Sequence, residues 1–207
     1  MKTMFKGFVA MCILCFALPA LAGSIREYTA DMVDVKSGKA VARYAVTEKK
    51  MRAESLEKGD SSISIIRLDQ GKMYALQDDK TYLEFPLQGD RIPTPQEMGG
   101  MMMGGSGPKT RINREKLGTE TVSGYEAEKF RVTATIEMMG HKHSSTHLEW
   151  IAKEFAIPVR TESDGKVVEM RNIQIGAPAG SLFEIPAGYT KNAGLEDMMK
   201  KMKSGKF

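Results

Sequence analysis

From residue 25 onward the chain alternates apolar and polar positions with a period of two, the signature of strands and not of helices. The clearest run is Phe130-Arg131-Val132-Thr133-Ala134-Thr135-Ile136-Glu137-Met138. Phe130, Val132, Ala134, Ile136 and Met138 fall on one side, with Arg131, Thr133, Thr135 and Glu137 on the other. That pattern predicts a strand with one buried face and one wet face. Comparable runs occupy 25–33, 40–47, 51–55, 62–67, 72–76, 81–85, 148–152, 159–163, 166–175 and 181–185, which makes about 11 strands. Between them stand turn clusters: Lys36-Ser37-Gly38, Lys58-Gly59-Asp60, Asp69-Gln70-Gly71, Asp78-Asp79 and Asp164-Gly165. Asp-Gly between alternating runs is a hairpin signal, because glycine supplies the positive φ that a tight turn needs. The strands therefore read as an antiparallel meander, curling toward a barrel or stacked as a sandwich. Neither βαβ alternation nor a repeat of fixed period is visible.

Two stretches break the pattern. Residues 87–110 hold three prolines, six glycines and four methionines, and a loop of that length inside a compact domain is usually a lid or a disordered segment. Near the end, Leu195, Met198, Met199 and Met202 recur at helical spacing. Glu196 and Asp197 precede them and Lys200, Lys201 and Lys203 follow, as the helix dipole favours, so a short helix is expected over 194–203. So short a helix is unstable alone and needs a surface on which to dock.

The first 22 residues read as an address. Lys2 and Lys6 are followed by the uncharged run 8–18 and by Pro19-Ala20-Leu21-Ala22, the three-part pattern of a secretory leader cleaved after Ala22. The apolar run is shorter than the roughly 20 residues of a membrane span. Leu14 before Cys15 does not suit lipidation. The expectation is a leader over 1–22 and a single periplasmic domain over 23–207. Cleavage would remove both cysteines, Cys12 and Cys15, so their C-x-x-C spacing carries no redox meaning. It would also leave 28 basic residues against 26 acidic, a balance that excludes a nucleic-acid-binding surface.

The order of residues adds a resemblance. Gly38-Lys39-Ala40-Val41, Lys50-Met51-Arg52-Ala53-Glu54, residues 63–67, Gly71-Lys72-Met73-Tyr74 and Tyr82-Leu83-Glu84 form one set. Residues 118–125, Trp150-Ile151-Ala152-Lys153 and the closing stretch 181–189 form another. Over most of residues 25–190 the chain resembles a family of exported bacterial proteins known as a domain of unknown function. That family is similar to the LolA/LolB lipoprotein-carrier superfamily, with which it shares the closing Phe-x-x-Pro-x-Gly pattern, here Phe183 to Gly188. The resemblance implies a half-open β-barrel around an apolar cavity, covered by a lid inserted midway. Residues 87–110 stand where the lid would be, although they are glycine-broken and methionine-rich instead of helical. It also implies binding without catalysis. The expected fold class is thus mainly β, a half-open antiparallel barrel with a lid and a short C-terminal helix.

Candidate chemistry is sparse. His141, His143 and His147 lie within seven residues, beside Met138 and Met139, and imidazole with thioether suits copper or zinc. On a straight strand His141 and His147 would stand about 20 Å apart, so one ion could hold all three only if Ser144-Ser145 turned the chain back. Gly140 to Thr146 reads as a loop between two strands, which would allow that turn; the competing reading is a polar hairpin tip with exposed histidines, since the spacing matches no standard metal site. Met98, Met101, Met102 and Met103 are soft metal ligands, adaptable apolar contacts for a lipid chain, or part of an inert glycine-rich loop. Gly59-Asp60-Ser61 resembles the opening of a lipase block, but no histidine is placed to serve Ser61 as base. His-Glu-x-x-His, phosphate-binding loops and dinucleotide fingerprints are absent from the sequence. Phe207 follows a lysine-rich tail and not an alternating strand, which excludes an outer-membrane barrel terminus. Lys200, Lys201, Lys203 and Lys206 offer at most a weak contact with an anionic membrane surface.

The reading is a non-enzymatic, monomeric periplasmic carrier without cofactor. It would bind a lipid or lipoprotein acyl chain through Phe130, Val132, Ala134, Ile136 and Met138, closed over by the lid methionines. Two alternatives stay open: a copper or zinc binder using His141, His143 and His147, and an envelope-stress sensor or scaffold. Of the 16 methionines, three depart with the leader, and seven of the remaining 13 lie in residues 87–110 and 194–203. The excess is concentrated where adaptable contacts would be useful.

Overall fold

A computed structural model describes residues 26–57, 62–87, 109–138 and 141–193. The four lid methionines and the expected 194–203 helix lie outside the described residues, as do the leader and Ser61. In chain order the strands are β1 (Tyr28–Asp34), β2 (Ala40–Val46), β3 (Lys50–Ser55), β4 (Ile63–Arg67), β5 (Lys72–Leu76) and β6 (Thr81–Pro86). There follow β7 (Lys109–Val122), β8 (Tyr125–Met138), β9 (His141–Ile151), β10 (Arg160–Ser163), β11 (Lys166–Ile175) and β12 (Thr190–Lys191). The described pairings are antiparallel except that of β12 with β6, which is parallel.

The expected half-open barrel is corrected. Twelve strands form one mixed sheet that does not close, with β12 and β7 as its edges. Both edges are poor partners for closure. β12 is two residues long, while β7 carries Arg111, Arg114, Glu115 and Lys116 and a bulge between Lys116 and Gly118. Among the described residues Ala193 is helical, and the helical elements are two 3-10 turns, Leu68–Gln70 and Gly180–Phe183. The second of these replaces the strand expected over 181–185. β7 and β12 are strands that the alternation did not predict.

The chain divides into two compact units. The first holds β3 to β6, the Gly180–Phe183 turn and β12. Its registers align Met51, Ile66, Met73 and Phe85 in one cross-strand row, each at most 3% exposed. On the opposite face Arg67 is buried, and its guanidinium holds the carboxylate of Asp69 through two bonds of 2.9 Å. The same group donates to Glu184 Oε1 at 2.7 Å and to the Phe183 carbonyl at 3.3 Å, while Arg52 donates to the Leu182 carbonyl at 3.4 Å. Two arginines thus pin the segment after residue 179 onto β3 and β4. This explains why an apolar run there turns instead of joining the ladder.

The second unit holds β1, β2 and β7 to β11, in the order β2-β1-β11-β10-β9-β8-β7. Its core is a row of matched residues, Ala42, Met32 and Met170, extended by Tyr28, Tyr44, Ile151, Val159 and Phe155, all buried. The Phe155 ring meets Tyr28 and Tyr125 edge-on at 5.0 and 4.7 Å. Two-residue turns join β7 to β8 and β10 to β11. At Ser123-Gly124 and Asp164-Gly165 all four φ angles are positive, as a type I′ hairpin requires.

Candidate functional site

β8 is the middle strand of a long ribbon, pairing with β7 from Lys109 to Val122 and with β9 from His141 to Ile151. Residues paired across strands share a face. Phe130 therefore stands between Lys116 and Glu149, Val132 between Arg114 and His147, and Ala134 between Ile112 and Ser145. Val132 is 1% exposed, and Phe130 and Ala134 are half-buried. Arg131 and Glu137, on the other face, are exposed. Ile136 and Met138 continue the column on the β8 backbone opposite His143 and His141.

The histidine segment is strand, not loop. Ser144 and Ser145 pair with Thr135 and Ala134 inside an eleven-residue ladder, so the chain does not turn back between them. Hydroxyl contacts from Thr133 to Thr146 at 3.2 Å and from Thr135 to Ser144 at 2.9 Å help to hold it extended. His141 and His147 thus lie about 20 Å apart along one strand. His143 is exposed, while His147 is turned to a different partner. Among the described residues no group of three or more His, Cys, Asp or Glu side chains is placed to hold a metal ion.

The partner of His147 is Glu149, a residue that the alternation pattern does not single out. Glu149 is fully buried, and its Oε1 lies 2.8 Å from His147 Nε2. Since an ionised carboxylate only accepts, His147 is the donor. Arg114 Nε lies 3.6 Å from Glu149 Oε2, and both of these buried atoms lack a hydrogen bond. An ion pair with unfilled hydrogen bonds is held together by charge alone, which a buried site strengthens and desolvation offsets. One signal was available: in the run Leu148-Glu149-Trp150-Ile151-Ala152, Glu149 is the single polar residue in a segment buried on both faces.

On the opposite face, Trp150 is 2% exposed beneath two cations. Lys129 Nζ lies 4.7 Å and the Arg160 guanidinium 4.8 Å from its ring. The indole N–H donates to Glu120 Oε2 at 2.8 Å, and Lys129 donates to Glu120 Oε1 at 2.8 Å. These bonds, Lys129's first, hold the Glu120 carboxyl below the usual carboxylate range.

Taken together, the ribbon carries an apolar column interrupted by one charged pair and one imidazole. Nothing in this constellation pairs a nucleophile with a base beside an oxyanion-stabilising group. Compared with known proteins, the chain matches no protein-family model and no curated protein sequence.

Proposed function

We propose that this chain is a non-catalytic binder or carrier of an apolar ligand, a lipid or lipoprotein acyl chain, which lies along the β8 column of Phe130, Val132 and Ala134. The observation behind the reading is that Phe130 and Ala134 are only half-buried on a face whose polar neighbours are engaged with each other. An acyl chain laid there gains about 0.8 kcal/mol for each methylene removed from water. The secretory pattern over residues 1–22 and the resemblance to the LolA/LolB carriers support an envelope location and this ligand class. A sensor or scaffold would use the same face and differ only after binding.

The test is native mass spectrometry, with lipid extraction, of the chain purified from a bacterial periplasm. Retained acyl species that are lost in Ala134→Asp, while far-UV circular dichroism is unchanged, support the proposal. Wild-type protein that carries no lipid and takes up no fluorescent acyl probe overturns it.

A further inference from the structure

Arg114 is the cation of the β8 face whose donors are not used. It stands opposite Val132, on the face that carries Phe130 and Ala134. Its ion partner is Glu149, reached through Nε at 3.6 Å without a hydrogen bond. A guanidinium carries a planar fork of N–H donors, and among the described residues those of Arg114 find no acceptor. Lys116, the next cation on that face, is engaged with Glu128. The two members of the buried pair also differ in reach. The Glu149 side chain is 0% exposed, whereas that of Arg114 is 22% exposed, with Nε on its inner, buried side. A head group that comes to this face therefore meets donors, and not the carboxylate behind them.

We propose that Arg114 is the head-group site of the apolar ligand and selects an anionic amphiphile, a single acyl chain that ends in a carboxylate or a phosphate. The proposal rests on the carrier reading above and names the ligands that such a carrier prefers. Charge complementarity is the first argument: an oxyanion head accepts two parallel N–H bonds from one guanidinium, an arrangement that a neutral or cationic head cannot match. Position is the second. Two residues along from Arg114 and Val132, Ile112 and Ala134 are paired with each other and half-buried. A tail laid from Arg114 toward them rests on apolar side chains, while Phe130, between Lys116 and Glu149, flanks the head. Glu149 opposes the anion from behind the guanidinium, so the preference over a neutral head is moderate, roughly 10- to 100-fold.

The test is competition for a neutral fluorescent acyl probe bound to the full chain. The competitors are decanoate, decyl phosphate, decanol and decylammonium, each kept below its micellar concentration, with inorganic phosphate as the anion that lacks a tail. One or both anionic amphiphiles should displace the probe at concentrations roughly 10- to 100-fold below decanol, and decylammonium should be the weakest. Preference for the carboxylate points to a fatty acid, and preference for the phosphate to a phospholipid-type head. The double variant Arg114→Met with Glu149→Leu leaves no stranded charge and so keeps its fold; in it decanol and the anions should become equivalent. Arg131→Gln, exposed on the opposite face, keeps the wild-type preference. Decanol that competes as well as both anions in wild type overturns the head-group assignment and leaves the carrier reading standing. A chain that binds neither the probe nor any amphiphile overturns both. A preference that survives in the double variant, or displacement by inorganic phosphate alone, also overturns the assignment.

Discussion

Removing Arg114 should damage this protein more than removing the carboxylate that it faces. The two charges lie 3.6 Å apart, and at an effective dielectric near 20 their attraction is about 4 to 5 kcal/mol. Desolvation cancels most of that, so the pair as a whole contributes little. The partners are unequal, however. Glu149 is fully buried, while the Arg114 side chain is 22% exposed and can turn to water. Arg114→Met strands the carboxylate with His147 alone and should cost about 3 to 5 kcal/mol. Glu149→Gln keeps a hydrogen bond to His147 and should cost about 1 to 2 kcal/mol. The double variant Arg114→Met with Glu149→Leu should come within about 1 kcal/mol of wild type, because no charge is left stranded. Urea unfolding followed by the single tryptophan, Trp150 in the same unit, reads this directly. With a slope of about 2 kcal/mol per molar, the Arg114→Met midpoint should fall by about 2 M. A fall under about 0.5 M, or a double variant as unstable as Arg114→Met, would refute the assignment of Glu149 as a buried charge held by Arg114.

Other consequences are open to measurement. Arg67→Met should free the segment beginning at Gly180, seen as faster proteolysis after residue 179 and a loss of about 2 to 4 kcal/mol in thermal or urea unfolding. The hydrogen bond from Arg67 holds the Asp69 carboxyl below its ordinary value. Its stabilisation is thus present above the unfolded value near 3.9 and is lost as pH falls through the lower folded value. Wild type should accordingly weaken in that acid range, and Arg67→Met should show a flatter acid limb. Lys129→Met and Arg160→Met should each cost about 0.5 to 2 kcal/mol and shift Trp150 emission, which in wild type should be blue, as befits a buried indole. Gly165→Ala, at φ +75° in the β10–β11 turn, should cost about 1 kcal/mol by calorimetry; an unchanged melting temperature would argue against the type I′ turn.

The sequence resolved those elements whose physics is local. A strand with one wet and one dry face writes a period of two into its own residues. Ten of the expected runs are therefore strands, and Asp164-Gly165 turns where its positive φ angles demand. β7 was illegible for the same reason. As an edge strand with Lys, Arg and Glu on both faces, it has no dry side to print a pattern, and its order comes from the ladder with β8. The run at 181–185 looked like a strand because its apolar residues do enter a core, but Arg52 and Arg67 claim its carbonyls from far along the chain. The histidine segment read as a loop because its residues are polar, yet its pairing to β8 makes it straight, and that decides that three imidazoles in seven residues do not converge.

The alternation of residues thus determined that this chain is built largely from antiparallel strands. Closure was not in that pattern, since it depends on whether the first and last strands of the order meet. In the described strand order β7 and β12 are the two ends and are not paired with each other. The burial of Glu149 was likewise decided only in three dimensions. A carboxylate accepts burial when a cation is brought beside it, and Arg114 arrives from two strands away, 35 positions earlier in the chain.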